Sequence, residues 1–152
     1  MSEDGVYGYL ELLYRGSQDG CKASDFHDKC DNKGATITVI WSTGDFIFGG
    51  FSDKAWTSSG NYCASDKAFL FSLKSPSSEV GLTKMCINQN RCSYAMGHTT
   101  SFGPYFGSGS DLRILSDVNI KSESYSNLRR TYDVPPEQTN TFLAGSNHFK
   151  VS

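Results

Sequence analysis

Between Thr36 and Phe51 the hydrophobic positions recur every second residue, and the chain reads as two strands joined by a turn. Ile37, Val39 and Trp41 point to one face, with Thr36, Thr38 and Ile40 on the other. Residues 42–45 turn the chain and residues 46–51 return it, which predicts a hairpin. Gly49 and Gly50 carry no side chain to pack and predict a bulge or the close approach of another segment. Upstream the period becomes that of a helix. Ala23, Phe26, His27 and Cys30 fall at i, i+3, i+4 and i+7, one face of a helix of about two turns that packing must hold in place. Ser24, or a residue just before it, can cap the first turn. Asn32-Lys33-Gly34 stops the helix, with Gly34 suited to the left-handed cap.

Residues 1–8 are polar and glycine-containing and read as a frayed lead-in. Residues 9–14 are short and apolar, compatible with strand or helix, and are read as extended; residues 17–20 have turn chemistry. Residues 52–65 are polar and irregular, with Trp56 and Tyr62 as anchors to the core. Residues 67–73 predict a strand with Phe69, Phe71 and Leu73 on one face, followed by a turn at 75–79. Residues 82–87 and 93–96 predict a second hairpin around Asn88-Gln89-Asn90. A glycine- and aromatic-rich loop at 102–110 then leads into a short strand at 112–115. Residues 121–132 are polar, Pro135-Pro136 excludes a regular element, and 142–151 is a last apolar segment. With no repeat and no linker, residues 1–152 are expected to form a single domain. Its expected class is mainly β: a two-sheet antiparallel β-sandwich with a few short peripheral helices.

Composition supports that picture. A chain of 152 residues holds one sizeable core, and eighteen Phe and Tyr among 38% hydrophobic residues can fill it. The net charge is −2 and the largest basic block is the pair Arg129-Arg130, which does not match a nucleic-acid binder's positive stripe. Five cysteines, Cys21, Cys30, Cys63, Cys86 and Cys92, make an odd count without a Cys-x-x-Cys pair. Reduced thiols and a cytoplasmic location are expected. No leader pattern and no run of ~20 apolar residues is present, so membrane insertion is not expected.

Candidate chemistry is sparse. His27 lies one turn before Cys30, but both fall on the apolar face, where packing explains them better than a catalytic pair. His98 and His148 have no acid or cysteine at metal-ligand spacing, so no metal and no other cofactor is expected. The loop FGPYFGSGSD lacks the Lys-Ser/Thr of a phosphate cradle and precedes a strand rather than a helix. The carboxylates at Asp25, Asp28, Asp31, Asp45, Asp53, Asp66, Asp111 and Asp117 do not alternate as a calcium loop requires. Lys22 and Lys29 beside Cys21 and Cys30 leave a thiol-based antioxidant or redox sensor as a second reading.

Several pieces, taken in order, resemble the TLDc domain family from about Tyr9 to Val151. Leu12-Leu13-Tyr14 with Ser17 and the short helix resembles the domain's opening. Thr36–Ile40 with Ile47-Phe48-Gly49-Gly50-Phe51 resembles its central hairpin. Phe69-Leu70-Phe71 resembles its Phe-x-Phe strand, and Phe106-Gly107 with Gly109 and Asp111-Leu112 its glycine-rich turn. Tyr125-Ser126-Asn127-Leu128 and residues 142–151 complete the set. The resemblance implies a β-sandwich, no established catalytic residues, a link to oxidative-stress resistance, and binding to peripheral subunits of the V-ATPase. Asp66, Lys67, Ser108 and Asp111 flank the two most distinctive motifs and are the candidate partner contacts. Asp66-Lys67 replaces the family's usual Gly-Glu, a charge reversal that alters any surface using the glutamate. Members of the family usually finish with an acidic-aromatic strand after a segment like Phe149-Lys150-Val151; this sequence stops at Ser152, so that strand is expected to be either missing or left outside it. The opening stretch is also similar to the first module of an interferon-induced GTP-binding family, so a scaffold domain belonging to a larger protein is a further reading.

Overall fold

The computed structural model describes residues 8–76, 79, 81–117 and 124–152. The expected lead-in up to Tyr7, Ser77 and Ser78 of the 75–79 turn, and residues 121–123 of the polar stretch lie outside the described residues. The class is mainly β, and the described residues form two antiparallel sheets and three short helical pieces. One sheet has four strands: β1 (Thr36–Trp41), β2 (Ile47–Ser52), β4 (Phe69–Lys74) and β5 (Thr83–Cys86), in that spatial order. The other has six, in the order β10 (His148–Phe149), β9 (Ser124–Tyr125), β8 (Leu112–Leu115), β7 (Phe102–Phe106), β6 (Met96–Gly97) and β3 (Tyr62–Cys63). Their inner faces share one core, in which Phe48 of β2 meets Phe149 of β10 edge to face at 5.2 Å.

Register sorts the four-stranded sheet into two faces. Thr38, Gly50, Leu70 and Met85 lie opposite one another on the inner side, as do Ile40, Phe48, Ser72 and Thr83. Leu70, Met85 and Phe48 are fully buried there. Gly50 is small because the Phe106 ring of the opposite sheet presses onto it: a Cβ would stand 2.6 Å from that ring. The expected close approach at this glycine is therefore present. A register shift between Ile47 and Phe48 supplies a bulge one position before the pair of glycines.

The helical signal is met residue by residue. α2 (Ala23–Cys30) buries Ala23, Phe26, His27 and Cys30, the set expected from spacing. Its cap differs. Ser116, far along the chain, accepts the Ala23 N–H at 3.1 Å, and the Asp25 carboxylate accepts the Lys22 N–H at 3.0 Å. After the helix both Asn32 and Gly34 take positive φ, 60° and 82°. Inside, Phe26 packs edge-on against Trp56 at 5.5 Å, and Trp56 against Phe106 at 5.3 Å. Upstream, residues 17–19 complete a one-turn helix, α1 (Gly16–Asp19), while residues 9–14 have no regular structure.

Three local expectations are corrected. The hairpin expected across 82–96 does not form: β5 ends at Cys86, a 3-10 turn spans Gln89–Tyr94, and β6 joins the other sheet. Asn88 starts that turn by accepting the Asn90 N–H at 3.0 Å, while Ile87 bridges to Tyr132. The 102–110 loop is mostly strand β7, with only 107–110 turning, because a register shift between Phe102 and Tyr105 absorbs Gly103 and Pro104. Tyr62 is 44% exposed at the edge strand β3, so only Trp56 of the two expected anchors is buried in the core.

Candidate functional site

The outer face of the four-stranded sheet is apolar. An antiparallel sheet with one packed face normally turns its polar alternates to water. Here Ile37, Phe51, Phe69 and Cys86 form one outward row, and Val39, Gly49, Phe71 and Lys84 the next. Ile37, Val39 and Trp41 are 50%, 59% and 56% exposed, and Leu73 is 46% exposed. Phe51 and Phe69 stack at 5.1 Å, and the Lys84 ammonium sits 4.2 Å above the Phe69 ring. Gly49 in the middle of this face is closed over by its neighbours: a Cβ there would collide with the Thr38 carbonyl oxygen and lie 2.9 Å from the Phe71 ring. At the rim, Trp41 donates its indole N–H to Asp45 at 3.2 Å, and Lys74 pairs with Asp45 at 2.5 Å. The hydrogen bond from Lys74 holds the Asp45 carboxyl below its ordinary value. Phe71 on this face is buried, so the exposed apolar surface is concentrated at Ile37, Val39, Trp41 and Leu73, and exposed apolar side chains gathered on one face are a feature of interaction sites.

A second feature is built around Asp111. The turn at 107–110 places Gly107 and Ser110 at φ 82° and 58° and delivers Asp111 to the start of β8, where it is fully buried. Its carboxylate accepts backbone N–H bonds from Arg130 at 3.2 Å, Thr131 at 3.0 Å and Tyr132 at 3.1 Å. Burial pushes this carboxyl up to about 6, against the lowering pull of those N–H donors. Ser108 is exposed and donates its own N–H to the Thr131 hydroxyl at 3.0 Å. Asp111 thus fastens the 107–110 turn to the Arg129–Arg130 turn. What it offers a partner is the shape of these loops rather than its carboxylate.

Asp66 and Lys67 are exposed in the turn before β4. Ser65 shapes that turn by accepting the N–H groups of Lys67 at 3.1 Å and Ala68 at 2.9 Å, and it donates to Asp53. The Tyr62 hydroxyl reaches the Ser108 carbonyl at 3.5 Å and shares a 3.0 Å hydrogen bond with the Tyr105 hydroxyl. The hydrogen bond to Tyr105, with burial, pushes the Tyr62 hydroxyl up to about 12.

A family model described as the TLDc domain matches residues 7–152. The chain belongs to the TLDc family. No curated protein matches it. TLDc domains form an oxidative-stress-related family of protein-interaction modules, and an exposed apolar sheet face is chemistry suited to that class. Among the described residues of this TLDc domain no helix is long and apolar enough to cross a membrane.

The groups with chemical potential are placed as follows in the TLDc domain. His27 ties α2 to the loop before β7: Nδ1 meets Asp31 at 2.7 Å, and Nε2 faces the carbonyls of Phe102 at 2.9 Å and Thr99 at 3.1 Å. That arrangement holds helix to sheet and does not address Cys30. Burial pushes the Cys30 thiol up to about 11 and also raises Cys63, which works against thiolate chemistry at both. Burial lowers His98, whose Nδ1 lies 2.7 Å from the Thr57 hydroxyl. Sequence reasoning did not single out the outer sheet face. Alternation defined the two faces of β1 and β4 but did not say which one packs.

Proposed function

We propose that this TLDc domain is a non-enzymatic, cytoplasmic protein-interaction module that contributes to oxidative-stress resistance by binding peripheral subunits of the V-ATPase. The observation that carries the reading is the apolar outer face of the four-stranded sheet, with Ile37, Val39 and Trp41 each at least half exposed. Burying such a face against a partner removes apolar area from water, the main favourable contribution to association. The surface turns at Asp66-Lys67 and Ser108 supply charge and shape at loops, where rigid sandwiches commonly place recognition.

A pull-down from cytosol and solubilised vacuolar membranes, with the domain as bait, tests this. Peripheral V-ATPase subunits are expected to be enriched with the unaltered domain and lost with Val39→Glu, which places a charge in the exposed face. Lys67→Glu is expected to weaken the capture. A blank from a domain shown to be folded, or capture undiminished by Val39→Glu, would overturn the reading.

A further inference from the structure

Outside the strands of the four-stranded sheet, three arginines line one polar pocket. Arg91 of the 3-10 turn joins Arg129 and Arg130, and Asn127, Leu128 and Asn140 complete a depression of about 440 Å³. Among the described residues none of the three arginines makes an ion pair. Asp111 is the carboxylate whose described bonds reach this turn, and it is buried and engaged by backbone N–H groups. Its oxygens are taken up by those backbone N–H groups, with no described bond to an arginine guanidinium.

The pocket is also held in shape. The Leu128 N–H donates to the Asn140 carbonyl at 2.9 Å, the Asn127 N–H to the Ser110 carbonyl at 3.1 Å, and the Asn140 amide to the Asn127 side chain at 2.6 Å. Arg129 sits at φ 73° and donates to the Gln138 carbonyl. The stem of Arg130 packs over Gly109, where a Cβ would collide with it. Arginine, unlike lysine, presents a planar fork of N–H donors that matches a carboxylate in two parallel bonds. Preorganised donors lose less freedom on binding than mobile ones. A local cluster of three cations in a chain of net charge −2 is therefore a specific feature.

We propose that the Arg91, Arg129 and Arg130 pocket is an oxyanion site that takes an acidic segment, two or more neighbouring Asp or Glu side chains, of a protein partner. The site rests on the protein-binding reading only in taking a polypeptide as the source of the anion. It engages a different surface from the outer sheet face, so one partner can be read at two points.

The test is an NMR titration of the ¹⁵N-labelled domain with a blocked pentapeptide of alternating Glu and Asp, run in parallel with inorganic phosphate. Saturable shifts are expected at Arg91, Asn127, Arg129 and Arg130, including the arginine Nε–H signals. Arg91→Gln with Arg130→Gln is expected to weaken the peptide about tenfold, the effect of losing roughly one charge-assisted contact, and added salt to weaken it further. Glutamine at 130 keeps the methylene that covers Gly109. Arg91→Gln alone, at an exposed position, gives a smaller weakening in the same direction should the double variant fold poorly. Val39→Glu is expected to leave peptide binding unchanged, which separates this site from the pump-binding face. Shifts that do not saturate, shifts indifferent to the arginine substitutions, or phosphate saturating the same signals more tightly than the peptide would each overturn the proposal.

Discussion

Asp111→Ala is expected to destabilise the domain by about 3–5 kcal/mol, enough to lower the melting temperature by roughly 10 °C or more. The substitution removes the acceptor of three backbone N–H groups, those of Arg130, Thr131 and Tyr132. Thr131 and Tyr132 are fully buried, so water does not replace the lost acceptor at their amides. Asp111→Asn keeps the size and one oxygen and is expected to cost about half as much. Acid should separate the two further. The folded chain holds the Asp111 proton up to about pH 6, whereas the unfolded chain releases it near the ordinary 3.8. Between those values the folded state binds the extra proton, so this group's stabilising contribution is full below 3.8 and is lost as pH rises through 6. The stability gap between the unaltered chain and Asp111→Asn should therefore widen as pH falls from 7 to 4.5. Urea denaturation at several pH values measures it, and a constant gap would refute the assignment.

Gly49→Ala is expected to cost about 3 kcal/mol or more, at the upper end of what overpacking usually does. A methyl group at this position runs into the Thr38 carbonyl oxygen of the neighbouring strand and crowds the Phe71 ring. The first obstacle is backbone in a paired strand, with Val39 directly opposite Gly49, so relief requires β1 to move away from β2. Gly81→Ala is the matched control: nothing lies within 4 Å of a Cβ there, and a change within about 0.5 kcal/mol is expected. Equal losses at the two sites in thermal or urea unfolding would show that Gly49 is not a point of close strand approach.

These two positions bracket how far the amino-acid sequence leads. The Gly49-Gly50 pair in an alternating strand signals close approach by itself, and the structure supplies the two neighbours, Thr38 across the ladder and Phe106 across the core. The buried face of α2 follows directly from helical spacing, because i, i+3, i+4 and i+7 constrain a single short element. Distant partners set the rest. Residues 82–87 and 93–96 have the local look of a hairpin, yet Ile87 is drawn to Tyr132 and Met96 pairs with Phe106. Asp111 could be singled out beside a glycine turn, but its binding of three amides about twenty residues away depends on how β8 and the following turn meet. The outward rows of Ile37, Val39 and Phe69 went unrecognised as surface because a β-strand with two apolar faces does not declare which one the core will take. The arginine pocket joins a 3-10 turn to a loop nearly forty residues later, and only Arg129-Arg130 was visible as a pair.

The chain contains two tryptophans, and the fold has separated them completely. Trp56 is sealed among Phe26, His98 and Phe106, its indole N–H given to Thr36 at 3.0 Å. Trp41 stands more than half in water on the outer sheet face. Their fluorescence consequently divides into a blue component shielded from soluble quenchers and a red component open to them. Unfolding acts on the first. A partner settling on the sheet screens the second, so docking and denaturation can be followed separately in one cuvette without a label.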